Sequence, residues 1–201
     1  MDVPKLRPKE QLHLDEKCLN DNLGKGNTIF VGSSTDMWAQ QSQEDWINRV
    51  LDKCIENKYN TYVFQTKNPH RFVGCFLLRP MPEDSLYGCT IESDIHSGSK
   101  SIYCPTTFER YYPLSGFPRR TFISIEPIMD FTWKLLEWMA EIKPVFVSIG
   151  ANSRRDVNLP EPPPEKINEL ILELRKFTKV KVKDNLKRLL PNKEVPRERS
   201  M

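Results

Sequence analysis

Six short polar phrases hold most of the residues in this 201-residue chain that are equipped for chemistry. They are Gly32-Ser33-Ser34-Thr35-Asp36, Thr66-Lys67-Asn68, Thr90-Ile91-Glu92, Ser124-Ile125-Glu126-Pro127, Ser148-Ile149-Gly150-Ala151-Asn152-Ser153 and Lys183-Asp184-Asn185. Carboxylates, lysines and small hydroxyls in this mixture suit a polar ligand. A buried carboxylate is costly unless it is paired, and Lys67 and Lys183 are the candidate partners for Glu92 and Glu126. Glu126 precedes Pro127, whose fixed φ stiffens the turn and holds the carboxylate in place. Asp36 has a competing use as the cap of the following turn. Gly32 and Gly150 allow a sharp turn or a close backbone approach, and turn chemistry alone would explain them.

Each phrase follows an apolar, β-branched run, and those runs are the elements that must position it. Strands are predicted at 27–32, 61–66, 86–91, 121–125, 145–149 and 180–183. Between them helical periodicity places apolar stripes: one helix opened by Ser42 with Trp46, Ile47, Val50, Leu51, Cys54 and Ile55 inward, and others at 69–77, 132–142 and 163–177. Strand and helix alternating six times is the pattern of βα units in a parallel sheet, where ligands gather at the carboxyl ends of the strands. The expected fold is therefore α/β, a partial parallel (βα) barrel of about six strands, TIM-barrel-like, with its first strand missing. Residues 1–25 read as a charged extension with a short amphipathic helix ending near Gly24, 26–190 as the barrel domain and 191–201 as a basic tail. The segment between Glu92 and Pro118 is long for a crossover and is either functional or an ornament; a short helix is predicted within it at 106–112.

Composition narrows the classes. Thirty Lys and Arg against 27 Asp and Glu leave a net charge of +3, too small to claim a nucleic-acid partner, although the basic residues crowd between Lys176 and Arg199. A solvated terminal helix and tail explains that crowding, with a polyanion contact as the alternative. No run of about 18 apolar residues and no signal-peptide core is present, so a cytoplasmic, non-membrane protein is expected. Cys18, Cys54, Cys75, Cys89 and Cys104 form no C-x-x-C pair, and His13, His70 and His96 have no mutual spacing. Neither a dinucleotide fingerprint nor a P-loop occurs.

The phrases GNTIFVGSSTDMW (26–38), TYVFQTKNPHRF (61–72), GCTIES (88–93), FISIEPIMDF (122–131), FVSIGANS (146–153) and KVKDNLKRLL (181–190) resemble, in this order, a phage and prokaryotic family of radical S-adenosylmethionine-like proteins of unassigned reaction. The resemblance implies a barrel whose strand ends cradle S-adenosylmethionine and substrate, through Ser33, Ser34, Asp36, Thr66, Lys67, Glu92, Glu126 and Asn152. It also implies an earlier strand ending in a C-x-x-x-C-x-x-C loop that holds a [4Fe–4S] cluster, and this chain has no such spacing. The cluster is therefore expected only if a separately encoded N-terminal segment supplies the cysteines. Three readings follow: the C-terminal portion of a radical S-adenosylmethionine-like enzyme, inactive alone; a cluster-free protein that binds a polar ligand or nucleic acid; and an inactive remnant.

Overall fold

The computed structural model describes residues 12–33, 35–96, 103–154 and 156–190. Six strands, β1 (Thr28–Val31), β2 (Thr61–Thr66), β3 (Ser85–Thr90), β4 (Thr121–Ile125), β5 (Phe146–Ile149) and β6 (Lys179–Val182), form one sheet in the order β1-β2-β3-β4-β5-β6. Every pairing is parallel. Among the described residues β1 and β6 do not pair with each other, so the sheet is open.

Because each crossover steps in the same direction and right-handed crossovers are the rule, the intervening helices all fall on one face of the sheet. These are α2 (Glu44–Glu56), α3 (Pro69–Leu78), α5 (Lys134–Ile142) and α6 (Pro164–Leu174), with α1 (Glu16–Asn20) before β1 and α4 (Thr107–Tyr111) in the β3–β4 connection. Helical spacing makes each stripe: Ile47, Leu51 and Cys54 of α2, Leu135, Trp138, Met139 and Ile142 of α5, and Ile167, Leu170, Ile171 and Leu174 of α6 are buried. Alternate strand residues meet them, with Tyr62, Phe64, Tyr87, Ile123, Ile125, Val147 and Ile149 in the same core. Trp38, Phe64, Phe72, Tyr87 and Phe117 bind that core through edge, stacked and tilted ring contacts at 5.4–5.9 Å.

Two local expectations need correction. The second helix opens at Glu44 with Gln43 as its cap and no side-chain cap bond; the Ser42 hydroxyl turns instead to the Asp36 carbonyl at 3.5 Å. The N-terminal amphipathic helix shrinks to Glu16–Asn20 and buries none of its residues; the Glu16–Arg49 ion pair at 2.6 Å joins it to α2. In the long β3–β4 connection, α4 forms within the predicted range and starts from a capping box, with the Thr106 and Glu109 side chains each satisfying the other's backbone N–H.

Among the described residues the opposite face of the sheet carries no helix, and it is graded from apolar to charged along the strands. Parity and register put Phe30, Val63 and Leu86 in one row of side chains there. Gln65, Gly88, Phe122 and Phe146 make the next, Thr90, Ser124, Ser148 and Lys181 the third. Glu92, Glu126, Gly150 and Lys183 follow two residues on, at the carboxyl ends. Phe122 lies so close over Gly88 that a Cβ there would sit 2.1 Å from its ring, and it stacks on Phe146 at 4.9 Å. Glycine at 88 is what lets this second aromatic layer lie flat on the sheet.

Candidate functional site

The carboxyl-end row contains two carboxylates in similar sequence settings and different surroundings. Glu92 is fully buried. Lys67 Nζ donates to one of its oxygens at 2.5 Å and Arg110 Nη1 to the other at 2.7 Å. Arg110 is itself fully buried and donates also to the carbonyls of Thr90 and Pro105. α4 thus brings its arginine back from the long connection to lock the end of β3.

Glu126 stands across from it at the end of β4, with its side chain about a quarter exposed. Lys183 Nζ donates to one oxygen and Asn185 Nδ2 to the other, the latter at 2.9 Å. Asn185 also donates to the Ala151 carbonyl and to Ser153 Oγ, tying the ends of β4, β5 and β6 into one mouth. Gly150 lets the carboxylate lie against the backbone, since a Cβ would meet Glu126 Oε1 at 2.6 Å and displace that side chain.

Below this row lie hydroxyls. Thr90 Oγ1 accepts from Gln65 Nε2 at 3.1 Å. Ser124 and Ser148, register partners on β4 and β5, are 6% and 9% exposed, yet neither hydroxyl has a hydrogen-bond partner among the described residues. Lys181 places its ammonium 3.8 Å from the Phe146 ring centroid.

The other expected site residues serve the frame. Asp36 accepts from Thr66 Oγ1 at 2.8 Å, from Lys67 N at 3.1 Å and from Trp38 N at 2.9 Å, so it clamps the β1 loop to the β2 loop. Thr66 in turn accepts from Asn68 N at 2.8 Å, and its side chain lies on the helix-side parity of β2. Asn152 folds its own loop, donating to the Arg154 and Val157 carbonyls and accepting from Arg154 N. Ser33 is exposed in the β1 turn, and Ser34 lies outside the described residues. The structure therefore brings Lys67, Glu92 and Glu126 to the helix-free face and leaves Asp36, Thr66 and Asn152 at its border. Arg110, Ser124, Ser148, Lys181 and Asn185 join the face without having been singled out as ligand residues. Arg110 had a sequence signal: the T-x-x-E capping box at Thr106 fixes a helix carrying one arginine near an unpaired strand-end glutamate.

The described cysteines do not form a cluster-binding set. Cys54 and Cys89 are buried in the helix-side core, where loss of solvation pushes the Cys54 thiol up to about 12 and raises Cys89 as well. Cys104 Sγ accepts from Arg110 Nη2 at 3.2 Å. Among the described residues no group of three or more His, Cys, Asp or Glu is arranged to hold a metal ion. For S-adenosylmethionine the donor set does fit: lysines for the carboxylate, Glu126 for the ammonium, and hydroxyl and amide side chains for the ribose and adenine edges. No helix among the described residues is long and apolar enough to cross a membrane. Comparison with protein-family models, curated proteins and solved structures returns no match.

Proposed function

We propose that this chain is the S-adenosylmethionine and substrate side of a radical S-adenosylmethionine-like iron–sulfur enzyme, a partial (βα) barrel completed by a segment that brings the cluster cysteines. The observation that carries the reading is the character of β1. A parallel strand covered on both faces is apolar on both, whereas an edge strand is usually guarded by charge or proline. Thr28–Val31 has the first character: Ile29 and Val31 turn toward the helices and Phe30, 45% exposed, toward the helix-free face. Beyond it lies a cleft of about 640 Å³ lined by Leu14, Leu19, Ile29, Val31, Trp46 and Val50, among others. Such an edge suits a further strand-and-helix unit, and the one-directional strand order suits closure toward a barrel.

S-adenosylmethionine would supply a sulfonium whose cleavage needs an electron from the cluster, and this chain's own residues contribute binding and electrostatics only. Lys183 offers a cation to an anionic group and Glu126 a carboxylate to an ammonium at the partly exposed mouth, Lys67 holds Glu92, and the Phe122–Phe146 layer lies on the floor. The Glu92 and Glu126 pairs are complete within this chain, which favours the second reading, a cluster-free binding protein, should no cluster form.

Anaerobic iron–sulfur reconstitution of this chain, with and without a co-expressed segment containing a C-x-x-x-C-x-x-C loop, tests the proposal. A charge-transfer absorbance that appears only with the segment, together with co-elution of the two, is the expected result. A folded chain that neither captures the segment nor binds S-adenosylmethionine overturns it.

A further inference from the structure

We infer that Ser124, Ser148 and Lys181 form a phosphate-binding subsite on the helix-free face, and that the ligand or substrate held there carries a phosphate group. The inference rests on reading that face as the ligand site and does not require S-adenosylmethionine to be the co-ligand. Two hydroxyls on residues more than nine-tenths buried, side by side on adjacent strands, lack any partner among the described residues. Neither oxygen is among the fully enclosed polar atoms that lack a partner, so both stay open to solvent and to a ligand although their residues are largely covered. Among the described residues no helix covers this face. Ser148 is the register partner of Lys181, and among the described residues that ammonium faces an aromatic ring with no carboxylate.

The chemistry of the occupant follows from the donors. Two hydroxyls and a lysine in one register row of three adjacent strands offer three donors to separate oxygens, which matches the terminal oxygens of a phosphate better than the two of a planar carboxylate. The nearest carboxylate in the row above, Glu126, is engaged by Lys183 and Asn185, so it does not oppose an incoming anion with a free charge. The stacked Phe122 and Phe146 rings beneath give the remainder of the ligand an apolar floor. A phosphorylated small molecule and the backbone of a single-stranded nucleic acid share this chemistry.

The test uses the full chain with three probes: inorganic phosphate, a nucleoside 5′-monophosphate and a labelled single-stranded oligonucleotide. Affinities are read by calorimetry and anisotropy. Saturable binding is expected, weakened about tenfold or more by the Ser124→Ala/Ser148→Ala double variant and by Lys181→Gln. Lys176→Gln, whose lysine pairs with Glu173 on α6, should leave it unchanged. Preference for the monophosphate assigns a small phosphorylated molecule, and preference for the oligonucleotide assigns a nucleic acid. Because both serine hydroxyls are unpartnered, the double variant should unfold in ligand-free buffer at the wild-type temperature or slightly above, which separates lost binding from lost folding. No saturable binding of any probe, or equal weakening by Lys176→Gln, overturns the inference. Titrating S-adenosylmethionine into the same variants keeps the two proposals apart: its failure with phosphate binding retained removes the family reading alone.

Discussion

Glu92 and Glu126 end neighbouring strands in nearly the same phrase, Thr-Ile-Glu against Ser-Ile-Glu, and the fold gives them opposite fates. Glu92 is fully buried between a half-exposed lysine and a fully buried arginine. Glu126 is held by a lysine and an amide at an open mouth. The difference arises outside the strands. The connection after β3 carries α4, whose Arg110 reaches Glu92, while no arginine is brought to Glu126, whose partners Lys183 and Asn185 leave it partly exposed. Similar sequence thus yields a fully buried ion pair in one place and a partly exposed one in the other.

The comparison breaks most visibly at Arg110. Removing one member of a buried pair strands the other, so Glu92→Ala or Arg110→Met should lower stability by about 3–5 kcal/mol in denaturant unfolding. A loss under about 1 kcal/mol in both would show that the pair is open to water. Gly150→Ala comes next. Its Cβ has nowhere to go but against Glu126 Oε1, and about 1–3 kcal/mol of strain is expected, with Asn185 freed from the carboxylate. Glu126→Gln should cost at most about 1 kcal/mol, since Lys183 is nearly half exposed and its charge is screened. The same variant should be the one that alters ligand affinity, whereas Lys67→Met should act chiefly on stability. Thiol chemistry sharpens the contrast with the least effect on the fold. At pH 8 Cys54 and Cys89 should resist a thiol reagent while the exposed Cys18 reacts, and in Glu92→Ala the Cys89 thiol should begin to react. Burial raises the Cys54 thiol from its ordinary value near 9 to about 12 in the folded chain. Its neutral form therefore favours the fold fully below pH 9, and that contribution fades as pH climbs toward 12.

Strand order, helix faces and the Lys67–Glu92 and Lys183–Glu126 pairings were legible in the sequence, because period-two and helical stripes and strand-end charges are local signals. The predicted strand bounds agree with the structure to within a residue at each end. What the sequence hid was long-range. Nothing local to Asp36 says that its carboxylate will clamp Thr66 and Lys67 thirty residues away, nor that Asn152 will spend its amide on its own loop. Ser124 and Ser148 looked like ordinary strand residues until the register set them side by side. The capping box at Thr106 marked the helix that carries Arg110, but no spacing rule links it to Glu92 across the 18 positions between them.

The most direct measurement is a calorimetric titration of S-adenosylmethionine into the chain, comparing wild type with Glu126→Gln and Lys183→Gln. The account predicts binding in the wild type that each mouth variant weakens about tenfold while melting within a few degrees of wild type. Absence of binding, or binding indifferent to both substitutions, would contradict the assignment of the strand-end mouth as the ligand site.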